Sequence, residues 1–145
     1  MFKFEKLVFG DLGWGDEFLF ATLMTITVSI LSMGLGLCLA IVTVWAKLIT
    51  NKITRIVANF YTTVVRGVPE LLVIYLIFFG GNTVVMSIAK LFGYNGYIEL
   101  NALTIGTIAI AFISATYSSE VLRAAYLAIN KGQIEAAKAL GLNKF

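Results

Sequence analysis

The sequence of 145 residues has no histidine, one cysteine and one proline. Without histidine, and with Cys38 alone, the chain can form neither a Cys/His zinc site, nor a catalytic histidine, nor an intrachain disulfide. Charge is also scarce: Asp, Glu, Lys and Arg make up 13% of the residues, against about 25% in soluble domains. These shortages exclude most hydrolytic and metal chemistry and argue against a soluble domain.

Apolar residues are abundant instead. They account for 59% of the chain, and the mean hydropathy is +0.91. A soluble domain of this size would need far more polar surface, so the composition predicts a membrane protein whose apolar surface faces the lipid bilayer. The net charge is +3, but the 11 basic residues are scattered between apolar runs and form no continuous stripe. No nucleic-acid partner is therefore expected.

Three long stretches with few charges predict membrane-spanning helices. Residues 18–46 carry no charge, and a helix needs about 20 residues to cross the hydrocarbon. A second span is predicted over about 56–80, ending at the sequence Gly-Gly-Asn of 80–82, with a loop up to Glu99. The third is predicted over about 100–122. We therefore expect an all-α membrane protein with one transmembrane domain over residues 1–145.

The distribution of Lys and Arg beside these spans predicts the orientation, because cytoplasmic flanks carry the excess of basic residues. Eight basic residues lie in segment 47–66 and in the tail after Glu120, and three lie on the opposite side. The first group is Lys47, Lys52, Arg55, Arg66, Arg123, Lys131, Lys138 and Lys144, and the second is Lys3, Lys6 and Lys90. We expect the first group in the cytoplasm and the N-terminus outside.

Small residues recur at every fourth position in two of the spans. Such rows allow helices to approach closely in lipid. They admit two interpretations, packing within this chain or an interface with another subunit. The two rows are Ser32, Gly36 and Ala40 in the first span, and Ala111, Ala115 and Ser119 in the third.

The chain's only proline, Pro69, lies between two charged residues, Arg66 and Glu70. Proline removes a backbone donor, and Gly67 loosens the same place, so we expect the helix to kink or break there. Transporters commonly bind substrate at broken helices in the membrane. The alternative is that Arg66 and Glu70, four residues apart, merely neutralise each other.

A second charged pair, Glu120 and Arg123, follows a polar row in the third span. Hydroxyl groups leading to a carboxylate could line a water-filled path and hold an ammonium or guanidinium group. The alternative is a salt bridge of small energetic value at the membrane interface. The polar row consists of Ser114, Thr116, Tyr117, Ser118 and Ser119.

The segment 130–141 predicts a short cytoplasmic helix, with Asn130 as its N-cap and Gly141 as its stop. Its apolar residues Ile134, Ala137 and Leu140 are spaced by three, so one face could dock on a partner. A surface helix without a partner would satisfy the same pattern.

Several motifs in the chain resemble those of bacterial ABC-importer permeases. The sequence Glu-Ala-Ala-x-x-x-Gly at 135–141 resembles the opening of their cytoplasmic EAA loop. The sequence Tyr-Thr-Thr-Val-Val-Arg-Gly-Val-Pro-Glu-Leu-Leu at 61–72 resembles the signature of the polar amino acid branch, which includes permeases for histidine, arginine, ornithine and opines. Segments 13–17 and 114–121 resemble the same branch. The likeness extends over nearly the whole chain.

The resemblance implies a permease subunit of the inner membrane that is not itself catalytic. Its expected partners are cytoplasmic ATPase subunits, a second permease subunit, identical or related, and a periplasmic amino-acid-binding protein. No cofactor is expected on this chain, because ATP and magnesium belong to the ATPases. Glu135, Ala136, Ala137 and Gly141 are the expected ATPase-coupling residues. The candidate substrate path comprises Arg66, Glu70, Tyr117, Ser118, Ser119 and Glu120.

In the family, the EAA loop and further membrane helices continue beyond the point that corresponds to Phe145, so we expect a C-terminally truncated sequence. The substrate favoured by the paired charges is a basic amino acid or an arginine-derived opine. The alternative function is a small oligomeric membrane channel or scaffold that is complete at 145 residues.

Overall fold

The computed structural model describes residues 13–94, 96 and 101–141. Within these residues all regular secondary structure is helical, which confirms the predicted all-α class. Lys3, Lys6 and Lys144, which entered the predicted orientation, lie outside the described residues. The helices are α1 (Gly15–Leu48), α2 (Lys52–Gly67), α3 (Glu70–Leu91), α4 (Ala102–Ala128) and α5 (Lys131–Ala139).

Helices α1, α3 and α4 are long and apolar enough to cross a membrane. At 1.5 Å per residue, the 34 residues of α1 extend about 51 Å and the 22 residues of α3 about 33 Å. The hydrocarbon core is about 30 Å thick, so each of these helices suffices for one crossing. Three crossing helices, as predicted, are therefore present in the described part of the chain.

The second crossing differs from its predicted bounds. The break at Pro69 is confirmed, but the predicted helix end at 80–82 is wrong, because α3 begins at Glu70 and continues to Leu91. A glycine inside a helix costs about 1 kcal/mol. Ending the helix within lipid would leave backbone groups without partners, at several kcal/mol each. The helix therefore continues through Gly80 and Gly81.

The contacts between helices define their directions. Ser32 of α1 bonds to Thr107 of α4, and Lys47, farther along α1, pairs with Glu120, farther along α4, so these two helices run parallel. Helix α3 runs antiparallel to α4, since Val73 clusters with Ile113 and Gly81 lies near Ile105. Because α3 crosses the membrane once between α1 and α4, the chain crosses in the same direction in α1 and in α4.

The main interface joins α1 to α4 through their small residues. Every residue of both predicted rows is buried. A Cβ atom placed on Gly36 would lie 3.2 Å from the Ala111 carbonyl oxygen and 3.3 Å from Ser114 Cβ. The Ser32 hydroxyl donates to the Thr107 carbonyl oxygen at 3.2 Å. Of the two interpretations of these rows, packing within the chain is therefore confirmed.

Helix α2 packs its C-terminal half against α4. The Tyr61 hydroxyl donates to the Phe112 carbonyl oxygen at 2.6 Å, and the two rings lie 4.7 Å apart between centroids. Val65 joins Val73 and Ile113 in a buried apolar cluster. These contacts hold the junction between α2 and α3 against the middle of α4.

The predicted short helix after α4 is present as α5. The Asn130 side chain accepts from the Gly132 backbone N–H at 3.0 Å, as an N-cap should. Gly141 has φ of +77°, a left-handed conformation in which glycine commonly follows a helix. In the described part of the chain, α5 has no extensive interface with α1–α4, which leaves both Ile134 and Leu140 exposed.

A candidate substrate groove at the helix break

A polar groove of about 390 Å³ opens where α2 ends, beside α4. We call it the break groove. Helix α2 contributes its last two turns to the wall, and α4 contributes one residue of the predicted polar row, Tyr117, and the Glu120 carboxylate that follows it. The lining residues are Thr62, Thr63, Arg66, Gly67, Tyr117 and Glu120.

The chain is broken here for local reasons. Proline disfavours the helical conformation in the residue before it, and Val68 is accordingly extended, with φ of −101° and ψ of 142°. The Pro69 carbonyl oxygen then accepts from the Leu72 N–H at 2.9 Å, in the first turn of α3. Arg66 and Glu70 therefore belong to different helices.

The break separates the charges that the sequence places four residues apart. No ion pair joins Arg66 to Glu70 within the described residues, since the break interrupts the helical i,i+4 spacing that would bring their side chains together. The alternative that they merely neutralise each other is therefore wrong. Instead, the Arg66 guanidinium carbon lies over the Tyr117 ring, 5.4 Å from its centroid, and the Glu70 carboxylate lies beside the Tyr117 hydroxyl.

Glu120 is the centre of a cluster of charges from two helices. One carboxylate oxygen, Oε1, accepts from Lys47 Nζ of α1, and the other, Oε2, lies 3.8 Å from Arg123 Nη1. Lys47 also donates to the Thr62 hydroxyl of α2, at 2.8 Å. The Lys47 side chain is only 1% exposed and that of Glu120 31%. The cluster thus connects α1, α2 and α4.

This role of Lys47 was not predicted, because the sequence pattern indicated the residue only as a basic flank of the first span. One signal could have found it. Lys47 lies seven residues after Ala40, which is two helical turns, so it continues the row that starts at Ser32 and Gly36. A lysine on the face that packs against another helix requires a partner.

The structure brings some of the predicted path residues together and leaves others apart. Arg66, Tyr117 and Glu120 line the break groove, and Glu70 interacts with Tyr117. Ser119 is fully buried and donates to the Thr116 carbonyl oxygen at 2.8 Å, so it does not line the groove. Ser118 is half-buried and is also not among the lining residues.

The predicted coupling residues belong to α5 and the turn that follows it. Glu135, Ala136 and Gly141 are exposed, and Ala137 is half-buried. None of them lines the break groove. The groove and α5 are therefore two separate features, at opposite ends of the segment from Tyr117 to Gly141. Among the described residues, no three His, Cys, Asp or Glu side chains are grouped in a way that could hold a metal ion.

Together these features define a multi-pass helical membrane protein with a polar groove at a broken helix and a short exposed helix outside the bundle. Residues 32–145 match the family described as binding-protein-dependent transport system inner membrane component. The chain belongs to this family, and it is a multi-pass protein of the bacterial inner membrane. The resemblance to ABC-importer permeases is confirmed.

Known relatives agree with this assignment. The nopaline transport system permease protein NocQ of Agrobacterium fabrum (strain C58 / ATCC 33970) is 47% identical over 137 residues, which are 94% of this chain and 58% of the relative. The histidine/lysine/arginine/ornithine transport system permease protein HisQ of Escherichia coli (strain K12) is 32% identical over 132 residues, 91% of this chain and 58% of the relative.

A solved structure, described as the crystal structure of an amino acid ABC transporter with histidines, has a similar fold. Its TM-score is 0.64 at 30% identity, over 83% of this chain and 51% of that one. The chain thus spans a little over half the length of the relatives that it matches.

Proposed function

We propose that this chain is the permease subunit of an ATP-driven importer and forms the path for a basic amino acid or an opine. Two relatives support this proposal by name, one for nopaline and one for histidine, lysine, arginine and ornithine. The observation that carries it is the break groove, which presents charged side chains of both signs at a discontinuous helix.

The chemistry of the groove suits a substrate with charges of both signs. The carboxylate of an amino acid can pair with an arginine, and a guanidinium or ammonium side chain can pair with a glutamate. Such charge-assisted hydrogen bonds are stronger than neutral ones, and they strengthen further where water is excluded. Arg66 and Glu70 supply these charged groups, and Tyr117 and Glu120 lie beside them at the same groove.

The proposed importer contains further subunits. A periplasmic binding protein delivers the amino acid, a second permease subunit completes the pathway, and cytoplasmic ATPases hydrolyse ATP with magnesium. The sequence of this chain contains no Gly-x-x-x-x-Gly-Lys-Ser/Thr phosphate loop. Its contribution to coupling is α5, whose residues Glu135, Ala136 and Ala137, followed by Gly141, dock on an ATPase subunit.

Reconstitution of the complete importer in proteoliposomes tests the function. With the binding protein outside and ATP inside, we expect concentrative uptake of radiolabelled arginine. Unlabelled lysine and nopaline should compete with it better than glutamine does. Uptake that is independent of ATP hydrolysis and only equilibrates the gradient would contradict the proposal and indicate a passive channel.

A further inference from the structure

We infer that Lys47 is a positioning residue that withdraws Glu120 from ligand binding, and that Arg66 and Glu70 are the charged groups left for the ligand. This inference rests on the proposed function, because it identifies which groups of the break groove meet the substrate. Three observations support it: the charge balance around Glu120, the burial of Lys47, and the geometry on the two sides of the helix break.

The charge balance around Glu120 is unfavourable for a cationic ligand. One carboxylate oxygen accepts from Lys47 and the other lies 3.8 Å from Arg123. Two cations therefore surround one anion, and the cluster carries a net charge of +1. A guanidinium or ammonium group that approached Glu120 would meet this positive charge, so the carboxylate is a poor site for it although it lines the groove.

The burial of Lys47 explains why its ion pair with Glu120 serves helix packing and not ligand binding. With a side chain only 1% exposed, an unpaired ammonium group would carry a large desolvation cost. Glu120 and the Thr62 hydroxyl accept from it, and they come from α4 and α2. Through its contacts with Glu120 and Thr62, Lys47 therefore links α1, α4 and α2, and it fixes the position of the Glu120 carboxylate.

Arg66 and Glu70, on the two sides of the helix break, have surroundings that differ from those of Glu120. Arg66 is exposed and lies over the Tyr117 ring, an arrangement that orients a guanidinium group while leaving its N–H donors free. Glu70 is exposed and interacts with the Tyr117 hydroxyl. Within the described residues, neither Arg66 nor Glu70 has an ion-pair partner. A carboxylate on the ligand can therefore pair with Arg66, and a cationic side chain with Glu70.

The test compares arginine with citrulline, which has nearly the same shape but an uncharged end group. The complete importer is reconstituted, and ATP-driven uptake of both radiolabelled amino acids is measured at saturating binding protein. The selectivity is the ratio of arginine to citrulline uptake. Overall loss of activity by misfolding lowers both rates and leaves this ratio unchanged, so the ratio separates ligand contacts from structural roles.

The variants are Glu70→Gln and the double variant Lys47→Met with Glu120→Gln. Glu70→Gln should lower the selectivity for arginine about tenfold or more, since it removes a charge-assisted hydrogen bond to the cationic end. The double variant removes both charges of the buried pair together, and its selectivity should stay within about twofold of wild type. Lys47→Met alone should give much less assembled complex than the double variant, because it leaves Glu120 without its main partner.

Several results would overturn the inference. One such result is that the double variant loses its selectivity for arginine over citrulline while Glu70→Gln retains it. A double variant that assembles no better than Lys47→Met would also contradict the positioning role. A wild-type importer that does not prefer arginine to citrulline overturns the inference but leaves the importer function standing. If no amino acid is taken up with ATP, the proposed function itself fails.

Discussion

At the scale of single residues, Gly36 is a position where α1 closely approaches α4. An added Cβ would lie 3.2 Å from the Ala111 carbonyl oxygen, whereas one added to Gly34 would have nothing within 4 Å. Both glycines belong to α1, two residues apart, and only one of them faces α4. The absence of a side chain at Gly36 is therefore a requirement of packing, and at Gly34 it is not.

This contrast predicts the effect of matched substitutions. Gly36→Leu should destabilise the permease by about 1–3 kcal/mol or more, because the side chain overpacks the α1–α4 interface. Gly34→Leu makes the same change on the open face and should have little effect. Thermal melting of the purified full-length permease in detergent measures both. Equal melting temperatures for the two variants would contradict the parallel α1–α4 contact.

At the scale of secondary-structure elements, Pro69 keeps α2 and α3 apart and thereby shapes the break groove. Local sequence alone predicts this break, because a proline removes a backbone donor and disfavours helix in the residue before it. Arg66 and Glu70 reach Tyr117 from separate helices as a consequence.

Replacing the proline should therefore impair transport. We expect Pro69→Ala to let α2 and α3 join, which moves Arg66 and Glu70 relative to Tyr117. Uptake by the reconstituted importer should fall about tenfold or more, a difference of about 1.4 kcal/mol. Val68→Ala keeps the proline and serves as the control with near-normal uptake. Normal transport by Pro69→Ala would show that the groove does not depend on the break.

Helix α5 is an element without an extensive packing surface in the described chain, which suits a segment that docks on another subunit. If Ala137 lies at that interface, Ala137→Trp and Gly141→Asp should each abolish uptake while membrane insertion remains normal. Ala139→Trp places the same bulk about 200° around the helix, at 100° per residue, and should be tolerated better. ATPase activity and co-purification of the ATPase measure the coupling. Full uptake in both Ala137→Trp and Gly141→Asp would remove α5 from the interface.

At the scale of the whole molecule, the parallel directions of α1 and α4 restrict the topology. Because both helices run the same way, the segment after α1 and helix α5 lie on one side of the membrane. The start of α4 and the end of α3 lie on the other. The excess of basic residues assigns the first side to the cytoplasm.

Accessibility to a membrane-impermeant thiol reagent tests this orientation. In a Cys38→Ala background, Lys52→Cys and Lys138→Cys should be protected in intact cells, and Tyr94→Cys should be labelled. Labelling of all three after the membrane is permeabilised is the control. The opposite pattern would reverse the orientation, and labelling of only one of the two lysine positions would contradict the three-crossing fold.

Local patterns in the sequence were sufficient to predict the structural features that depend only on residues close together in the chain. Apolar runs predict the three crossings, Pro69 predicts the break, and Asn130 and Gly141 predict the two ends of α5. The predicted helix end at 80–82 was wrong because glycine propensities measured in water do not carry over to lipid. There, an unsatisfied backbone group costs more than a glycine in a helix.

The sequence by itself determined the class of protein and, through its motifs, the family. Only the tertiary structure decided which charges pair, because the partners lie far apart along the chain. Lys47 and Glu120 are separated by 73 residues, and their contact requires α1 and α4 to pack in parallel at one register. That register follows from small residues such as Gly36, which permit close approach. Among the described residues it leaves Arg66 and Glu70 without ion-pair partners at the break.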